Sequence, residues 1–199
     1  ICKGEELRKL RIASAKNLQN QIMNELEYLE MPKVRFIVNI ASSDQPTPTG
    51  LDNIEFLIST NSGQEPMQMV KIASGGELSR IMLAIQRILL NKSGVTTAIF
   101  DEIDTGISGK TSRKVGIKLK QISKYIQVIC VTHSAQIASL ADNHYLISKC
   151  DVDGKTQTST YLLDEASKIN EVARILGGIN VTENQILAAT EMIEEGKLL

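Results

Sequence analysis

Hydrophobic residues recur along the chain with two different periods, one helical and one typical of strands. Residues 5–30 place apolar positions at helical spacing among Glu, Lys, Arg, Gln and Asn, which predicts a long helix with a broad polar face. Pro32 ends this helix, because the residue before a proline is disfavoured in the α region. Alternation then predicts strands over 34–40 and around 54–58, an antiparallel pair joined by a polar loop over 42–50.

The long first helix has two interpretations. Its apolar stripe is intermittent and consists of Leu7, Leu10, Leu18, Ile22, Leu26 and Leu29. A stripe of this kind fits a surface helix of the domain, and it fits equally the end of a longer coiled coil. Both interpretations stay open from the sequence.

The rest of the chain alternates helices with short apolar strands. A helix with a clear apolar face opens at residues 74–77, and 95–100 and 126–131 predict two buried strands on either side of a helix over 110–123. The remaining predicted elements are a helix over 134–140, a strand around 145–147, a turn at 153–154, a strand over 157–163, and helices over 165–176 and 182–195. This order predicts an α/β fold with a mixed, mostly parallel sheet and flanking helices, preceded by the long helix and the antiparallel strand pair.

Composition narrows the class of protein without naming a function. The 199 residues carry a net charge of −1 and are 42% hydrophobic, as in an ordinary soluble globular protein. A net charge near zero provides no basic footprint, and an aromatic content of only 4% provides no evident stacking surface. Composition therefore does not indicate nucleic-acid binding. Cys2, Cys130 and Cys150 have no metal or redox spacing, which predicts reduced thiols in the cytoplasm. The apolar runs are too short for a membrane span, so we expect no membrane partner.

The segment Ser74–Glu77, Ser-Gly-Gly-Glu, opens the second predicted helix and combines a hydroxyl, two glycines and a carboxylate. Two glycines let the backbone approach a ligand closely, and the N–H groups at a helix N-terminus attract anions. Ser74 followed three residues later by Glu77 also fits a capping box. The segment is therefore either an anion site or a capped helix after a turn.

Asp101 and Glu102 end the predicted strand over 95–100. Ligands bind at the carboxyl ends of parallel strands, and two adjacent carboxylates can divide two roles there. One can hold a magnesium ion through its water shell, and the other can orient an attacking water. The alternative is an acidic loop that simply follows a strand.

His133 follows the second buried strand and can reach the same crevice. A lone histidine at a strand end is more often structural than catalytic, so its position alone is weak support. The order of a glycine-led helix, an acidic strand and a histidine strand gives it more weight.

Residues 106–111, Gly-Ile-Ser-Gly-Lys-Thr, imitate a phosphate-binding P-loop. The full motif needs a glycine five positions before the glycine of Gly-Lys-Thr, with four residues between them, and Asp104 occupies that place. The loop would be too short, and the aspartate would repel phosphate. A P-loop kinase that uses Lys110 is therefore a weaker alternative.

Three segments together resemble a known family. They are Ala73–Arg80 (ASGGELSR), Phe100–Gly109 (FDEIDTGISG) and Val131–Ser134 (VTHS), in this order. The chain resembles the C-terminal half of ATP-binding-cassette ATPase heads, and more closely the RecN-like relatives of the structural-maintenance-of-chromosomes (SMC) proteins. The resemblance covers nearly the whole chain and implies the C-terminal lobe of an SMC-type head, with residues 1–31 ending a coiled coil or connecting helix and 32–199 forming the half-head.

The resemblance implies a role for each matching residue. Glu102 would polarise the attacking water, His133 would contact the γ-phosphate of ATP, and Asp101 would lie near Mg²⁺. The remaining residues would contact ATP across a dimer of heads, as the signature residues Ser74, Gly75, Gly76 and Glu77 and the D-loop residues Asp104, Thr105 and Ser108. Ser108 stands where many cassette proteins have an aspartate, so the role of that carboxylate does not transfer.

The same resemblance implies the partners and the cellular role. No Gly-x-x-x-x-Gly-Lys-[Ser/Thr] occurs, so we expect the ATP-binding Walker A lobe to precede Ile1 in the same polypeptide and this piece to be inactive alone. The implied partners are that N-terminal half, a second head joined through ATP, and DNA. The implied setting is double-strand break repair in the cytoplasm, associated with the nucleoid.

Two alternatives remain beside the RecN-like interpretation. The chain fits the head of another SMC-type chromosome protein, or a dimerisation or binding module that does not hydrolyse ATP. Lys110, Lys114 and Lys118 form a basic helix face that is either a DNA contact or a solvated surface.

Overall fold

A computed structural model of the chain describes residues 2–61, 63–69, 75–90, 94–152, 155–178 and 180–199. The chain divides into two compact units, and each is described by itself. The first consists of residues up to 96 together with 101–105, and the second of 97–100 together with 106–199. No helix within the described ranges is both long enough and apolar enough to cross a bilayer.

The first unit contains two helices and a small antiparallel sheet. Its elements are α1 (Cys2–Tyr28), β1 (Arg35–Thr47), β2 (Gly50–Ser59), β3 (Met67–Gln68) and α2 (Gly75–Leu89). The sheet has the order β1-β2-β3 with antiparallel pairs throughout. The two-residue strand β3 lacks any alternating pattern, and the sequence did not predict it.

The C-terminal half of α1 provides the core of this unit. Ile22 and Leu26 are fully buried, as is Leu29 just after the helix, and α1 contacts both β1 and α2. Leu10, in the first half of the same stripe, is 67% exposed. Only the second half of the predicted stripe is therefore a buried face. The proposed division of the chain at residue 31 stays a prediction.

The predicted loop over 42–50 is wrong, because strand structure continues through most of it. β1 runs to Thr47, and the register extends past the pair of Ser42 with Asp52 to Thr47 opposite Gly50. An irregularity between residues 42 and 47 accommodates the polar sequence. The hairpin turn is therefore much shorter than its composition suggested.

Two arginines of α1 explain why this polar stretch stays in the sheet. Arg8 donates to the Ser42 hydroxyl, and Arg11 Nη1 lies 3.0 Å from Asp52 Oδ2. The Asp52 carboxylate has no exposed side-chain surface, and its second oxygen lies 3.6 Å from Arg8 Nε. A buried carboxylate needs such partners, so the helix and the hairpin end are tied by charge.

The second unit is built from short strands and helices in alternation. Its elements are β4 (Thr97–Phe100), α3 (Gly109–Ser123), β5 (Gln127–Cys130), α4 (Ala135–Ala138), β6 (Tyr145–Val152), β7 (Lys155–Leu162), α5 (Glu165–Gly177) and α6 (Glu183–Lys197). β4 pairs in parallel with β5, and β6 pairs with β7 as an antiparallel hairpin. The predicted turn at 153–154 lies outside the described residues.

Small side chains form the helical core of this unit. Helices α4, α5 and α6 pack through a cluster that consists of Ala135, Ala138, Val172, Ala173, Ala189 and Ile193. Asp164 caps α5 by accepting a hydrogen bond from the Ser167 N–H at 2.8 Å. Hydrogen bonds from the Ser167 side chain and from its N–H hold the pKa of the Asp164 carboxyl below its usual value. Alanine at the helix contacts permits close helix packing.

The α/β class predicted from the sequence is confirmed, but the strand pairing differs in detail. Within the described ranges the strands form three separate small sheets, and only β4 and β5 are parallel. The two strands were expected to be buried on both faces. Ala98 and Phe100 are buried, whereas Ile99 is 70% exposed and its partner Ile129 is 44% exposed. One apolar face of the parallel pair is thus uncovered.

The contrast between the two halves of α1 gives a stability prediction. Leu26→Ala removes a fully buried side chain and should lower the free energy of unfolding by about 2–5 kcal/mol. Leu10→Ala, the same change at an exposed position of the same helix, should change it by less than about 0.5 kcal/mol. Urea denaturation followed by circular dichroism compares the two, and equal losses would contradict the packing described for α1.

Candidate functional site

The N-terminus of α2 packs directly on the loop Asp101–Thr105, and both lie in the first unit. Gly76 is buried at this contact. A Cβ atom added to Gly76 would lie 2.9 Å from the Glu102 carbonyl oxygen and 3.0 Å from both the Thr105 Cβ and the Thr105 carbonyl oxygen. Because these are mainly backbone atoms, only glycine fits here without moving the loop. The structure thus brings two of the three predicted motifs together.

Gly75 contacts the same loop from the exposed side of the helix start. The position of its missing Cβ lies 2.8 Å from Glu102 Oε2. The carboxylate of Glu102 therefore sits beside the first turn of α2, where the helix dipole favours negative charge. Ser74, the first residue of the predicted signature, lies outside the described residues. Glu77 lies in the first turn and is partly buried.

Glu102 adopts a backbone conformation that is rare for a residue with a side chain. Its φ is 55°, in the left-handed region. The turn is closed by the Thr105 N–H, which donates to the Glu102 carbonyl at 3.0 Å, and the side chain of Ile103 is fully buried. Strained conformations of this kind cost about 1–3 kcal/mol and cluster at functional sites. The surrounding contacts must offset that cost.

Two side chains of α2 supply such contacts, and sequence reasoning missed both. The Ser79 hydroxyl donates to the Asp101 carbonyl at 2.8 Å. Arg80 Nη1 donates to the carbonyls of Ile103 at 3.1 Å and Thr105 at 2.9 Å.

A signal for Arg80 was present in the sequence. Arg80 stands four residues after Gly76 and three and four residues before Leu83 and Ala84, all of which are buried. An arginine in the middle of an apolar helix face must find acceptors inside the protein.

The charges of the site are unevenly exposed. Asp101 and Glu102 are exposed, whereas Asp104 and Arg80 are only 4% and 5% exposed. Burial lowers the pKa of the Arg80 guanidinium, and the negative charges of Glu77 and Asp104 oppose that shift in part. Asp101 and Glu102, the two carboxylates with predicted chemistry, therefore face solvent. The buried Asp104 and Arg80 belong to the framework that supports the loop.

The exposed carboxylates suit a magnesium ion held together with a nucleotide. Within the described ranges no group of three or more His, Cys, Asp or Glu side chains is placed to hold a metal ion by itself. Mg²⁺ is usually bound through one or two carboxylates, with water and phosphate oxygens completing the shell. The exposed carboxylate of Asp101 is of the kind that this requires.

The remaining predicted residues, Ser108 and His133, lie in the second unit and are exposed. Ser108 precedes α3, and its hydroxyl lies 3.3 Å from the Thr111 hydroxyl. His133 follows β5 in a segment where the Val131 N–H donates to the Phe100 carbonyl at 2.9 Å. The predicted convergence of His133 with the acidic pair stays a prediction.

Comparison with known proteins identifies close relatives in sequence. The DNA repair protein RecN of Rickettsia bellii is 43% identical over 190 residues, which are 96% of this chain and 34% of that protein. RecN of Haemophilus influenzae is 41% identical over 185 residues, or 92% of this chain and 33% of that protein. The chain thus spans about a third of the length of the curated relatives it matches, in their C-terminal portion. No protein-family model matches the chain.

Comparison with solved structures addresses the fold. The Smc head domain with a coiled coil and joint from Pyrococcus yayanosii matches 84% of this chain and 31% of that chain, with a TM-score of 0.55 and 17% identity. The likeness is that of the fold alone. Together, the sequence and structure matches confirm the resemblance predicted from the motifs.

The glycine contacts predict different outcomes for two neighbouring substitutions. Gly76→Ala places a Cβ against backbone atoms and should lower the free energy of unfolding by about 1–3 kcal/mol. Gly75→Ala meets only the end of the flexible Glu102 side chain, so it should cost less than about 1 kcal/mol while displacing that carboxylate.

Gly109→Ala is a matched control at the start of another helix. Its added Cβ would meet nothing closer than Gln136 Nε2 at 3.5 Å, an ordinary contact. Urea denaturation of the three variants should therefore single out Gly76→Ala. A loss for Gly76→Ala no larger than that for Gly109→Ala would contradict the close packing.

Proposed function

We propose that this RecN-like chain is the C-terminal part of an ATPase head that acts in DNA double-strand break repair. The observation that carries the proposal is the contact of the glycine-led start of α2 with the loop that bears Asp101 and Glu102. It joins two of the three motifs on which the family resemblance rests. The names of the relatives, which are DNA repair proteins, support the biological setting.

The proposed roles follow the chemistry of each group. Glu102 orients and polarises the attacking water, and its exposed carboxylate supports this role. Asp101 would hold Mg²⁺, which supplies charge neutralisation of the phosphates when it is bound. His133 contacts the γ-phosphate in the proposal.

The signature segment is proposed to act across a dimer. Ser74, Gly75 and Gly76, with Glu77, would contact ATP held by a second head. The exposure of Gly75 at the N-terminus of α2 supports an approach of phosphate from outside. Asp104, Thr105 and Ser108 belong to the D-loop in this proposal. The buried side chain of Asp104 favours a framework role within it.

The other half of the head is proposed to come from the N-terminal part of the same polypeptide. The 199 residues contain no Walker A motif, so the piece alone should bind ATP poorly and hydrolyse it negligibly. The uncovered apolar face of the parallel pair, with Ile99, Ile129 and Val131, supports a covering lobe. DNA is the proposed partner of the whole protein, in the cytoplasm at the nucleoid.

Glu102→Gln tests the catalytic role in a full-length RecN polypeptide that carries this segment. Loss of the base should reduce ATP hydrolysis by about 10²- to 10⁴-fold, because the amide cannot accept a proton from water. ATP affinity should change little, and ATP-dependent dimers should accumulate because the nucleotide between the heads persists. Phosphate release and size-exclusion chromatography with light scattering measure the two effects.

Glu191→Gln is the matched control, since Glu191 is an exposed carboxylate on α6, a helix that carries none of the motifs. It should hydrolyse ATP like the parent. Unchanged hydrolysis in Glu102→Gln would contradict the role of Glu102. If the parent protein forms dimers but hydrolyses no ATP, that result would instead favour a binding or dimerisation module.

A further inference from the structure

Arg80 is a buried cation that donates hydrogen bonds to the loop Asp101–Thr105. Its side chain is 5% exposed, and Nη1 donates both of its hydrogens to backbone carbonyls, those of Ile103 and Thr105. It stands on the second turn of α2, three residues after the signature residue Glu77. The bonds therefore run from the helix that the signature opens to the loop that carries Glu102.

Burying a guanidinium is costly, so this placement needs a physical reason. Burial lowers the pKa of Arg80, and the opposing charges of Glu77 and Asp104 offset only part of that shift. Replacing buried ions with apolar residues of similar volume is often neutral or stabilising. Fold stability alone therefore does not account for an arginine at this position, whereas a fixed loop geometry does.

Four of the five backbone carbonyls of the loop Asp101–Thr105 accept hydrogen bonds from α2 or from the turn itself. Ser79 Oγ binds the carbonyl of Asp101, Arg80 binds those of Ile103 and Thr105, and the Thr105 N–H closes the turn on Glu102. Glu102, with its left-handed backbone, lies in the middle of these anchors. A shift of α2 must therefore be transmitted to the residue that carries the carboxylate.

We propose that Arg80, assisted by Ser79, is a positioning residue that couples the signature end of α2 to the orientation of Glu102. The proposal rests on the proposed function, because it assigns a regulator to the same carboxylate. Arg80 touches no reacting atom. Arg80 holds the loop in the orientation in which the Glu102 carboxylate can contact the attacking water. When nucleotide binds at the N-terminus of α2, Arg80 transmits the movement of the helix to the loop.

Arg80→Met in a full-length RecN polypeptide tests the coupling. The maximal rate of ATP hydrolysis per folded molecule should fall about 10- to 100-fold, since sub-ångström to ångström misplacement of a catalytic group has effects of this size. The KM for ATP should change by less than about threefold, because Arg80 binds no nucleotide. Arg80→Lys keeps a cation that donates several hydrogen bonds and should recover most of the rate.

Lys168→Met is the matched control for loss of a buried cation. Lys168 is 6% exposed and donates to the Ala141 carbonyl in the second unit, and burial lowers its pKa as it does for Arg80. It should leave the rate per folded molecule unchanged. Ser79→Ala removes one loop bond only and should lower the rate about 3- to 10-fold, which covers the case in which Arg80→Met folds poorly.

Hydrogen exchange separates this proposal from the proposed function. The Thr105 amide donates a hydrogen bond to the Glu102 carbonyl. Without ATP, this amide should exchange faster than in the parent in Arg80→Met and in Ser79→Ala, and at the parent's rate in Lys168→Met. Unchanged protection at Thr105, or a rate per folded molecule equal to the parent in both variants, would overturn the coupling. Failure of Glu102→Gln to affect hydrolysis would overturn the proposed function, and the exchange result would still report on the loop contacts.

Discussion

The close approach of α2 to the carboxylate loop, permitted by the missing side chain of Gly76, is the constraint on which the site depends. At this distance the helix can reach the loop carbonyls with Ser79 and Arg80, and the loop can hold Glu102 in a left-handed conformation. The strain of about 1–3 kcal/mol is comparable to what the hydrogen bonds return at about 0.5–1.5 kcal/mol each. The fully buried Ile103 adds to the balance. The contact, the strain and the exposed carboxylate form one arrangement.

The sequence predicted most elements of the fold because their apolar residues have clear periods. It failed where a polar residue is stabilised by a distant partner. The stretch 42–50 has loop composition, yet strand structure persists because Arg8 and Arg11 of α1 bind Ser42 and Asp52. Those contacts join residues more than thirty positions apart, and no local pattern contains them. Exposure of one strand face could not be predicted either, since a run of apolar residues does not specify how many faces are covered.

For the candidate site, the sequence indicates which residues carry suitable chemistry but not the contacts that they make. Two adjacent glycines indicate a close approach, but not that the approached surface is the protein's own loop at Glu102 and Thr105. Arg80 belongs to a helix with an apolar and a polar face, and arginines in such helices are usually on the exposed polar face. Its burial depends on carbonyl acceptors in a segment more than twenty residues away. The sequence therefore predicts a chemistry for these residues, whereas the geometry that relates them comes only from tertiary structure.

The two signature glycines serve opposite sides of the helix start. Gly76 faces inward onto the loop backbone, whereas Gly75 is exposed and adjoins the Glu102 carboxylate. A helix N-terminus favours negative charge, so this carboxylate already occupies a position that suits an anion. On the proposed function, a phosphate from a second head would approach the same N–H groups and repel Glu102 from them. Because the loop backbone is anchored to α2 by Ser79 and Arg80, that repulsion would act on the carboxylate without releasing the loop. On the proposed function, the arrangement would therefore link nucleotide contact in trans to the orientation of Glu102 in cis.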